Sequence, residues 1–207
     1  MPPDHDPGTA SGPRKRRRRA DAERSVASIL DAALDALASD PEANMAEIAR
    51  RAGVVRATIY VHFPTRESLL EAVTERAIAE VTQVMAAAEP ERGDPAEALR
   101  RVLTVAWREL GRFHALVEIN TRLPHAELHR RHRPVLALLG SLIERGQRAG
   151  TFRSDLPAAW HLSMLLALIH AASGEVQSKR LSAEQIESAL VTTVLGALGA
   201  TGTTDDE

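Results

Sequence analysis

The strongest chemical signal in the sequence is a run of six consecutive cations: Arg14, Lys15, Arg16, Arg17, Arg18 and Arg19. The whole chain has a formal net charge of -2, so the residues outside this run carry a net charge of -8. A basic run attracts the phosphate backbone of nucleic acids through counterion release, whatever the base sequence. Such runs also occur as solvated tails, so the charge alone leaves both alternatives open.

A second group with metal-binding chemistry is formed by His125, His129 and His132. They share one face if the segment is helical, and histidines at i and i+4 can bind a divalent metal. Three neighbouring arginines, Arg130, Arg131 and Arg133, disfavour a bound cation by repulsion. We therefore expect a solvated basic face here, with no metal.

The motifs of common enzyme classes are missing from the sequence. The chain has no cysteine, which excludes a thiolate nucleophile and a disulfide framework. We find no phosphate-cradling glycine loop, His-Glu-x-x-His, nucleophile elbow or glycine-rich dinucleotide turn. We therefore expect a protein that is not an enzyme and needs no cofactor.

Composition predicts a soluble, cytoplasmic protein. The 207 residues are 44% hydrophobic and 26% charged, which is typical of one or two globular domains. The longest apolar stretch, Leu162 to Ala172, is shorter than the ~18 residues of a membrane span. The first residues, Met1 to Pro13, lack the apolar segment of a secretory signal. We expect no contact with a membrane.

Apolar residues recur at steps of three and four along nearly the whole chain, which predicts an all-α fold. The first long helix is expected from about Asp21 to Ala38. Side chains that can cap later helices are Asn44, Thr65, Asp94 and Ser182, and the expected helix stops include Gly53 and Gly150. The predicted organisation is a disordered basic arm over residues 1–19, a three-helix domain over 20–66, a second helical domain over 67–200 and a disordered tail over 201–207.

Residues 44–62 form two short predicted helices around a glycine turn, an arrangement that lets the second helix enter the major groove of DNA. The stretch from Met45 to Leu70, MAEIARRAGVVRATIYVHFPTRESLL, resembles the DNA-binding segment of the tetracycline-repressor (TetR) family of bacterial transcriptional regulators. The run Thr58-Ile59-Tyr60-x-His62-Phe63 carries most of the resemblance. It implies an N-terminal helix-turn-helix domain followed by a helical ligand-binding and dimerisation domain.

Two positions depart from the family pattern. Val55 stands where the family usually has Ser or Thr, so the recognition helix loses an N-cap worth ~1 kcal/mol. Arg66 stands where the family usually has Lys, which keeps the charge but presents a planar fork of donors.

The resemblance implies a DNA-binding surface that includes the basic run. Its predicted residues are the six cations of that run together with Asn44, Val55, Arg56, Ala57, Thr58, Tyr60, Val61, His62 and Arg66. Tyr60, His62 and Arg66 are expected to bind phosphates. Base edges are expected to be faced by Arg56, Ala57, Thr58 and Val61. Arg56 can donate two bonds to guanine, and Ala57 or Val61 can contact a thymine methyl group. The buried side of the helix is expected to carry Ile59 and Phe63.

The second domain is expected to hold a small-molecule pocket and, in its last two helices, a homodimer interface. The candidate pocket residues are Trp107, Phe113, His114, Glu118, Asn120, Trp160, His161 and Met164. The candidate interface residues are Leu162, Leu166, Ile169, Ile186, Leu190, Val194 and Leu198, with burial inside the monomer as the alternative.

Together these features predict a DNA-binding regulator that represses transcription by occupying a palindromic operator as a dimer and is released by a small-molecule effector. The alternative is a helical small-molecule-binding or enzymatic protein without sequence-specific DNA binding. Loss of affinity for duplex DNA with retained ligand binding would favour that alternative.

We expect removal of residues 1–19 to weaken binding to duplexes of every sequence and to flatten the dependence of binding on salt. The reason is that the lost cations no longer release counterions from the phosphate backbone. Titration of one duplex at several salt concentrations, with the full chain and the truncated chain, measures the two slopes. Equal slopes would contradict a role for the basic run.

Overall fold

The computed structural model describes residues 12–113, 116–117, 124–178 and 180–199 of the chain. Within these ranges the chain forms nine α-helices and no strand, which confirms the all-α fold. The first four helices are α1 (Gly12–Ser39), α2 (Met45–Arg51), α3 (Arg56–His62) and α4 (Arg66–Ala87). The others are α5 (Pro95–Leu110), α6 (His125–Arg131), α7 (Arg133–Arg148), α8 (Ala158–Gln177) and α9 (Ala183–Ala197), with a 3₁₀ turn at Gly111–Phe113.

Contacts between residues divide the chain into two compact units, with the boundary between Val73 and Thr74. The first unit holds α1 to α3 and the start of α4, and the second holds the rest of α4 and α5 to α9. None of the helices in the described ranges has the length and apolar character that crossing a membrane requires.

Helix α1 begins at Gly12, well before the predicted start near Asp21. The basic run, expected in a disordered arm, therefore lies in the first turns of a helix. The physical reason is that Arg and Lys are good helix formers and that residues 14–39 include neither Gly nor Pro. Pro13 is tolerated because it stands in the first turn, where the N–H groups have no intrahelical partner. The rest of the predicted arm, residues 1–11, and the predicted tail lie outside the described residues.

The core of the first unit is built on the predicted apolar stripe of α1. Ile29, Ala33 and Leu37 on this stripe are buried, and α1 contacts α2. Ile48 on α2 and Ile59 on α3 are buried as well. Each large aliphatic side chain removed from water contributes about 1.5–3 kcal/mol, so this core holds the three helices together.

The predicted side-chain caps are present at four helix starts. The amide oxygen of Asn44 accepts hydrogen bonds from two backbone N–H groups of α2, at 3.0 and 3.1 Å. Asp94 does the same for α5, at 2.8 and 3.1 Å. Thr65 accepts from a backbone N–H in the first turn of α4 at 3.1 Å, and Ser182 with Gln185 forms a capping box at α9. These bonds satisfy N–H groups that have no carbonyl partner within the helix.

The second unit has its core between four helices. Helix α5 contacts α7 and α9, and α8 contacts the same two helices. The side chains that meet between them, all nearly or fully excluded from water, include Leu99, Leu139, Ile143, Leu165 and Val194. The four helices therefore share one apolar interior.

The link between α7 and α8 depends on a close approach that only glycine allows. Gly150 has a φ of +75°, the left-handed conformation that ends α7 where the sequence predicts. Gly146, on the last turn of α7, lies directly beneath the ring of Phe152. A Cβ atom at this glycine would lie 2.0 Å from Cδ2 of Phe152. The Phe152 backbone N–H donates to the Gly146 carbonyl at 3.1 Å, which holds the ring there.

We expect Gly146→Ala to lower the free energy of unfolding by about 1–3 kcal/mol, because the added methyl group forces the ring or the backbone to shift. Gly111→Ala is the matched control, since Gly111 has right-handed helical backbone angles and an added Cβ meets nothing within 4 Å. This control should be neutral or stabilising by up to ~1 kcal/mol. Urea unfolding followed by circular dichroism measures both, and an unchanged midpoint for Gly146→Ala would contradict the prediction.

Candidate nucleic-acid interface and ligand cavity

The four-residue turn between α2 and α3 contains one residue in the left-handed conformation. Gly53 has a φ of +68° and ends α2 as predicted. The backbone N–H of Val54 donates to the carbonyl of Ala49 at 3.0 Å. Ser28 on α1 donates its hydroxyl to the carbonyl of Ala52 at 3.2 Å. These bonds satisfy the last carbonyls of α2 and set the point where α3 begins.

Helix α3 has one buried face and one exposed face. Ile59 is fully buried, and Phe63, the residue after the helix, is buried too, as expected from the sequence. On the other face Val61 is 77% exposed, while Tyr60 and Arg56 are also exposed. The exposed face thus combines an apolar side chain, a phenol and a guanidinium.

The remaining residues predicted around this helix lie on or beside the exposed face. Val55 is 70% exposed and begins α3 without a side-chain cap, as its type predicts. Ala57 is exposed, whereas Thr58 and His62 are half-buried. Asn44 is exposed, but its amide oxygen is occupied in capping α2.

Arg56 and Tyr60 contact each other across one turn of α3. The guanidinium carbon lies 5.5 Å from the centroid of the Tyr60 ring, and Nη2 lies 3.5 Å from the phenol oxygen. An exposed cation over an aromatic ring contributes about 0.5–1 kcal/mol. The contact therefore favours a defined position for the Arg56 side chain on the exposed face.

The structure gives Arg66 a role that sequence analysis missed. Its Nη2 donates to the carbonyl of Pro41 at 2.6 Å, and its Nε donates to the carbonyl of Ala43 at 3.3 Å. The side chain is half-buried and ties the start of α4 to the turn between α1 and α2. A planar fork of donors can serve two carbonyls at once, which a lysine ammonium does less well. The substitution of Arg for the usual Lys was the only signal of this role in the sequence.

The basic run is placed on the first turns of α1. Arg16 and Arg17 are exposed there. The side chains of the other four cations, Arg14, Lys15, Arg18 and Arg19, lie outside the described part of the structure.

The second unit contains a narrow apolar cavity of about 70 Å³. Helix α4 contributes Thr74, Ala77, Ile78, Val81 and Met85 to its wall. The rest of the described wall comes from α5, the residues after it, the junction of α6 and α7, and helices α7 and α8. A water molecule needs about 10–15 Å³ measured in this way. The cavity therefore holds only a few water-sized groups unless its walls move.

Only one of the predicted pocket residues that the structure describes lines this cavity. That residue is Phe113. Trp107 is buried, but its indole N–H donates to a carbonyl at the start of α9, at 3.2 Å. Because a helix turns about 100° per residue, Trp107 faces α9 while its neighbours on α5 face the cavity. Trp160 is 60% exposed, and His161 and Met164 are not part of the wall. His114, Glu118 and Asn120 lie outside the described residues.

The polar part of the cavity wall comes instead from Thr74, His132 and His170. In the sequence, the spacing of His132 from His125 and His129 suggested only a possible metal ligand and gave no sign of a cavity. Among the described side chains, no three groups of the metal-binding types gather as a metal site requires. His170 could have been noticed in the sequence, because it is a polar residue within the apolar stretch of α8.

The predicted dimer residues are mostly inside the subunit. Leu166, three predicted residues of α9 and Leu198, the residue directly after α9, are buried in the single chain. Leu162 and Ile169 are half-buried, and Ile169 lines the cavity together with Leu166. The physical reason is that the apolar stripe of α9 packs against α5 and α8 within its own subunit. The three residues of α9 are Ile186, Leu190 and Val194.

Comparison with known proteins agrees with the helix-turn-helix geometry. The model of the family of bacterial regulatory proteins called tetR matches residues 29–73. The transcriptional regulator NfxB of Pseudomonas aeruginosa is 30% identical over 155 residues, covering 73% of this chain and 81% of that protein. The transcriptional repressor LfrR of Mycolicibacterium smegmatis is 30% identical over 197 residues, covering 93% of this chain and 95% of LfrR.

Solved structures share the fold. The structure of LfrR in complex with proflavine matches with a TM-score of 0.68 at 27% identity, covering 84% of this chain and 96% of that one. The fatty acid degradation regulator FadR of Bacillus halodurans matches with a TM-score of 0.72 at 20% identity, covering 84% and 96%. The chain belongs to the TetR family, whose members are DNA-binding transcriptional regulators and not enzymes.

We expect Arg56→Ala to relax the preference for one base pair in each DNA half-site, at a cost of about 1–3 kcal/mol on the preferred sequence. Tyr60→Phe keeps the ring and removes the hydroxyl. It should weaken binding to every duplex by the same factor, because a phosphate contact does not depend on base sequence. Arg100→Ala is the control, because this exposed arginine lies on α5 in the second unit. Fluorescence anisotropy with singly substituted duplexes measures the preferences, and a uniform loss for Arg56→Ala would contradict base reading.

Proposed function

We propose that the protein is a repressor that binds a palindromic operator as a homodimer and leaves it when a small molecule binds the second unit. The observation that carries the proposal is the exposed face of α3, where Arg56 and Val61 point away from a helix anchored by buried Ile59. A helix of this kind fits the major groove, which is about 12 Å wide. Repression by LfrR, a relative of the whole chain, supports the same direction of control.

The residues of α3 would divide their work on DNA between base edges and phosphates. Arg56 would donate to guanine, and Ala57 or Val61 would contact a thymine methyl group. Tyr60 and His62 would bind phosphates and position the helix without reading sequence. The proposal also includes the other contacts implied by the family resemblance, those of Asn44, Val55, Thr58 and the basic run.

Arg66 would reach a phosphate only with the donors that its two carbonyl partners leave unused. A guanidinium has five N–H donors, and the bonds to Pro41 and Ala43 engage Nη2 and Nε. Its main contribution would be to hold the turn before α2 in place.

The dimer would form on the exposed faces of α8 and α9. Trp160, Ala167 and Ala171 follow one another on the exposed side of α8, and Ala189 and Thr193 do so on α9. No Asp, Glu, Lys or Arg occurs over residues 156–174 or 188–200. A broad uncharged face with small side chains lets helices approach closely and is a liability if it stays in water. Pairing by a two-fold axis would cover it with the same face of a second subunit.

Effector binding would be coupled to DNA through α4. The last part of this helix lines the cavity from Thr74 to Met85, and its first residue, Arg66, contacts the turn before α2. A molecule larger than the 70 Å³ cavity must displace its walls. Such a ligand releases DNA only to the extent that it prefers the displaced state.

A cytoplasmic location of the protein is part of the same proposal. A regulator of bacterial promoters meets its DNA in the cytoplasm, as predicted from the composition. The partners are then duplex DNA, a small-molecule effector and a second copy of the chain.

Selection from random duplexes tests DNA recognition and symmetry together. We expect enrichment of an inverted repeat whose half-sites lie about one helical turn, 10–10.5 base pairs, apart. Enrichment of no sequence would overturn the function, and enrichment of an unrepeated site would overturn the dimeric reading mode.

We expect Ala171→Glu to convert the dimer to monomers and to lower operator affinity at least tenfold, because it places a charge in the proposed interface. Ala137→Glu is the matched control, since Ala137 is an exposed alanine of α7. Sedimentation velocity and operator titration measure both variants. A dimeric, fully binding Ala171→Glu protein would show that the interface lies elsewhere.

A further inference from the structure

The cavity of the second unit has a mostly apolar wall with few polar side chains. Of its eighteen lining residues, fifteen are apolar and three, Thr74, His132 and His170, are polar. No Asp, Glu, Lys or Arg is among the described lining residues. Among the described side chains of this wall, only these three can form hydrogen bonds with a ligand.

The backbone fixes the hydrogen-bonding state of His132. Its Nδ1 lies 2.9 Å from the carbonyl oxygen of Leu128. A carbonyl oxygen only accepts, so Nδ1 carries the proton. In a neutral imidazole the other nitrogen, Nε2, is then an acceptor.

His170 lines the same cavity from α8. The backbone of Leu166, one turn earlier in α8, favours the protonated form of its ring. A neutral imidazole has one acceptor nitrogen. The described cavity wall therefore includes two imidazoles that each have an acceptor nitrogen when neutral, one at the junction of α6 and α7 and one on α8.

Burial favours the neutral form of both rings. Burial is the largest cause that lowers the pKa of His132, and the positive charge of Arg131 lowers it further. Burial also lowers the pKa of His170. A lowered pKa keeps an imidazole in its neutral form, because protonation would create a poorly solvated charge.

A wall with these properties selects for the charge of its ligand. A lipophilic cation would lose its hydration without gaining a carboxylate from the described wall. A carboxylate would face the acceptor lone pairs of the two imidazoles and would find no cationic partner among the described lining residues. A hydroxyl or neutral N–H on an apolar body would instead donate to the two histidines.

We propose that this cavity takes a neutral, largely apolar molecule that carries a hydroxyl or N–H donor, and that His132 and His170 accept its hydrogen bonds. The proposal rests on the function proposed above, in which this cavity is the effector site. It adds the chemical class of the effector and the two residues that select it.

Four probes that share a propylbenzene body and differ in one polar group test the proposal on the full chain. They are 4-propylphenol, propylbenzene, 4-propylbenzoate and 4-propylbenzylammonium. We expect 4-propylphenol to bind most tightly by isothermal titration calorimetry, about fivefold to tenfold tighter than propylbenzene, as one net hydrogen bond predicts. Tighter binding of the benzoate or the ammonium compound, or binding of none of the four, would overturn the proposal.

Variants separate hydrogen bonding from shape. His132→Leu and His170→Leu should each reduce or reverse the preference for the phenol over propylbenzene, because the buried hydroxyl then lacks an acceptor. Leu139→Met is the matched control, since it changes an apolar lining residue with little change in volume and should keep the preference. Circular dichroism establishes that each variant is folded, and a preference unchanged in both histidine variants would overturn the assignment.

Release of operator DNA by the same probes distinguishes this proposal from the proposed function. A phenol that binds with the expected preference but leaves DNA affinity unchanged would uphold the cavity chemistry and remove the effector role. If DNA binding is intact but 4-propylphenol is not the tightest-binding probe, the proposed ligand class is overturned and the proposed function is not.

Discussion

The burial of one isoleucine determines which face of α3, the helix proposed to contact DNA, is exposed. Helix α3 has seven residues, and isolated helices shorter than about 12 residues are marginal in water. Its conformation therefore depends on packing, and Ile59 is the residue of α3 that is fully buried. A rotation of the helix by one residue, about 100°, would expose Ile59 and bury a polar or charged neighbour. The same burial thus stabilises the helix and selects which side chains face outward.

Arginines that bind carbonyl oxygens hold both ends of α4. At its start, Arg66 binds two carbonyls of the turn between α1 and α2. After its end, Arg101 binds three carbonyls of the link to α5, at 3.0 to 3.4 Å. Arg145 binds two more in the same link, both at 2.9 Å. Between these anchored ends, the part of the helix from Thr74 to Met85 lines the cavity. For this reason the proposed function assigns the coupling between effector and DNA to α4.

Features that depend on neighbours in the chain could be predicted from the sequence. Asn44, Asp94 and Ser182 were recognisable as caps because a cap bonds backbone groups two or three residues away. Gly53 marked the turn of the helix-turn-helix, since a left-handed residue ends a helix. The buried positions Ile59 and Phe63, and the all-α fold, followed from helical periodicity and the family resemblance.

Contacts between distant helices were decided only by the tertiary structure. Periodicity shows that α9 has an apolar stripe, but it does not say whether Val194 packs inside the subunit or against a second one. Trp107 and His132 illustrate the same limit, because one turns toward α9 and the other into the cavity. The sequence by itself determined most of the helices, the helix-turn-helix motif and the resemblance to the family. The packing of those helices decided the cavity, its two histidines and the surface left for a partner, because each depends on which helix faces which.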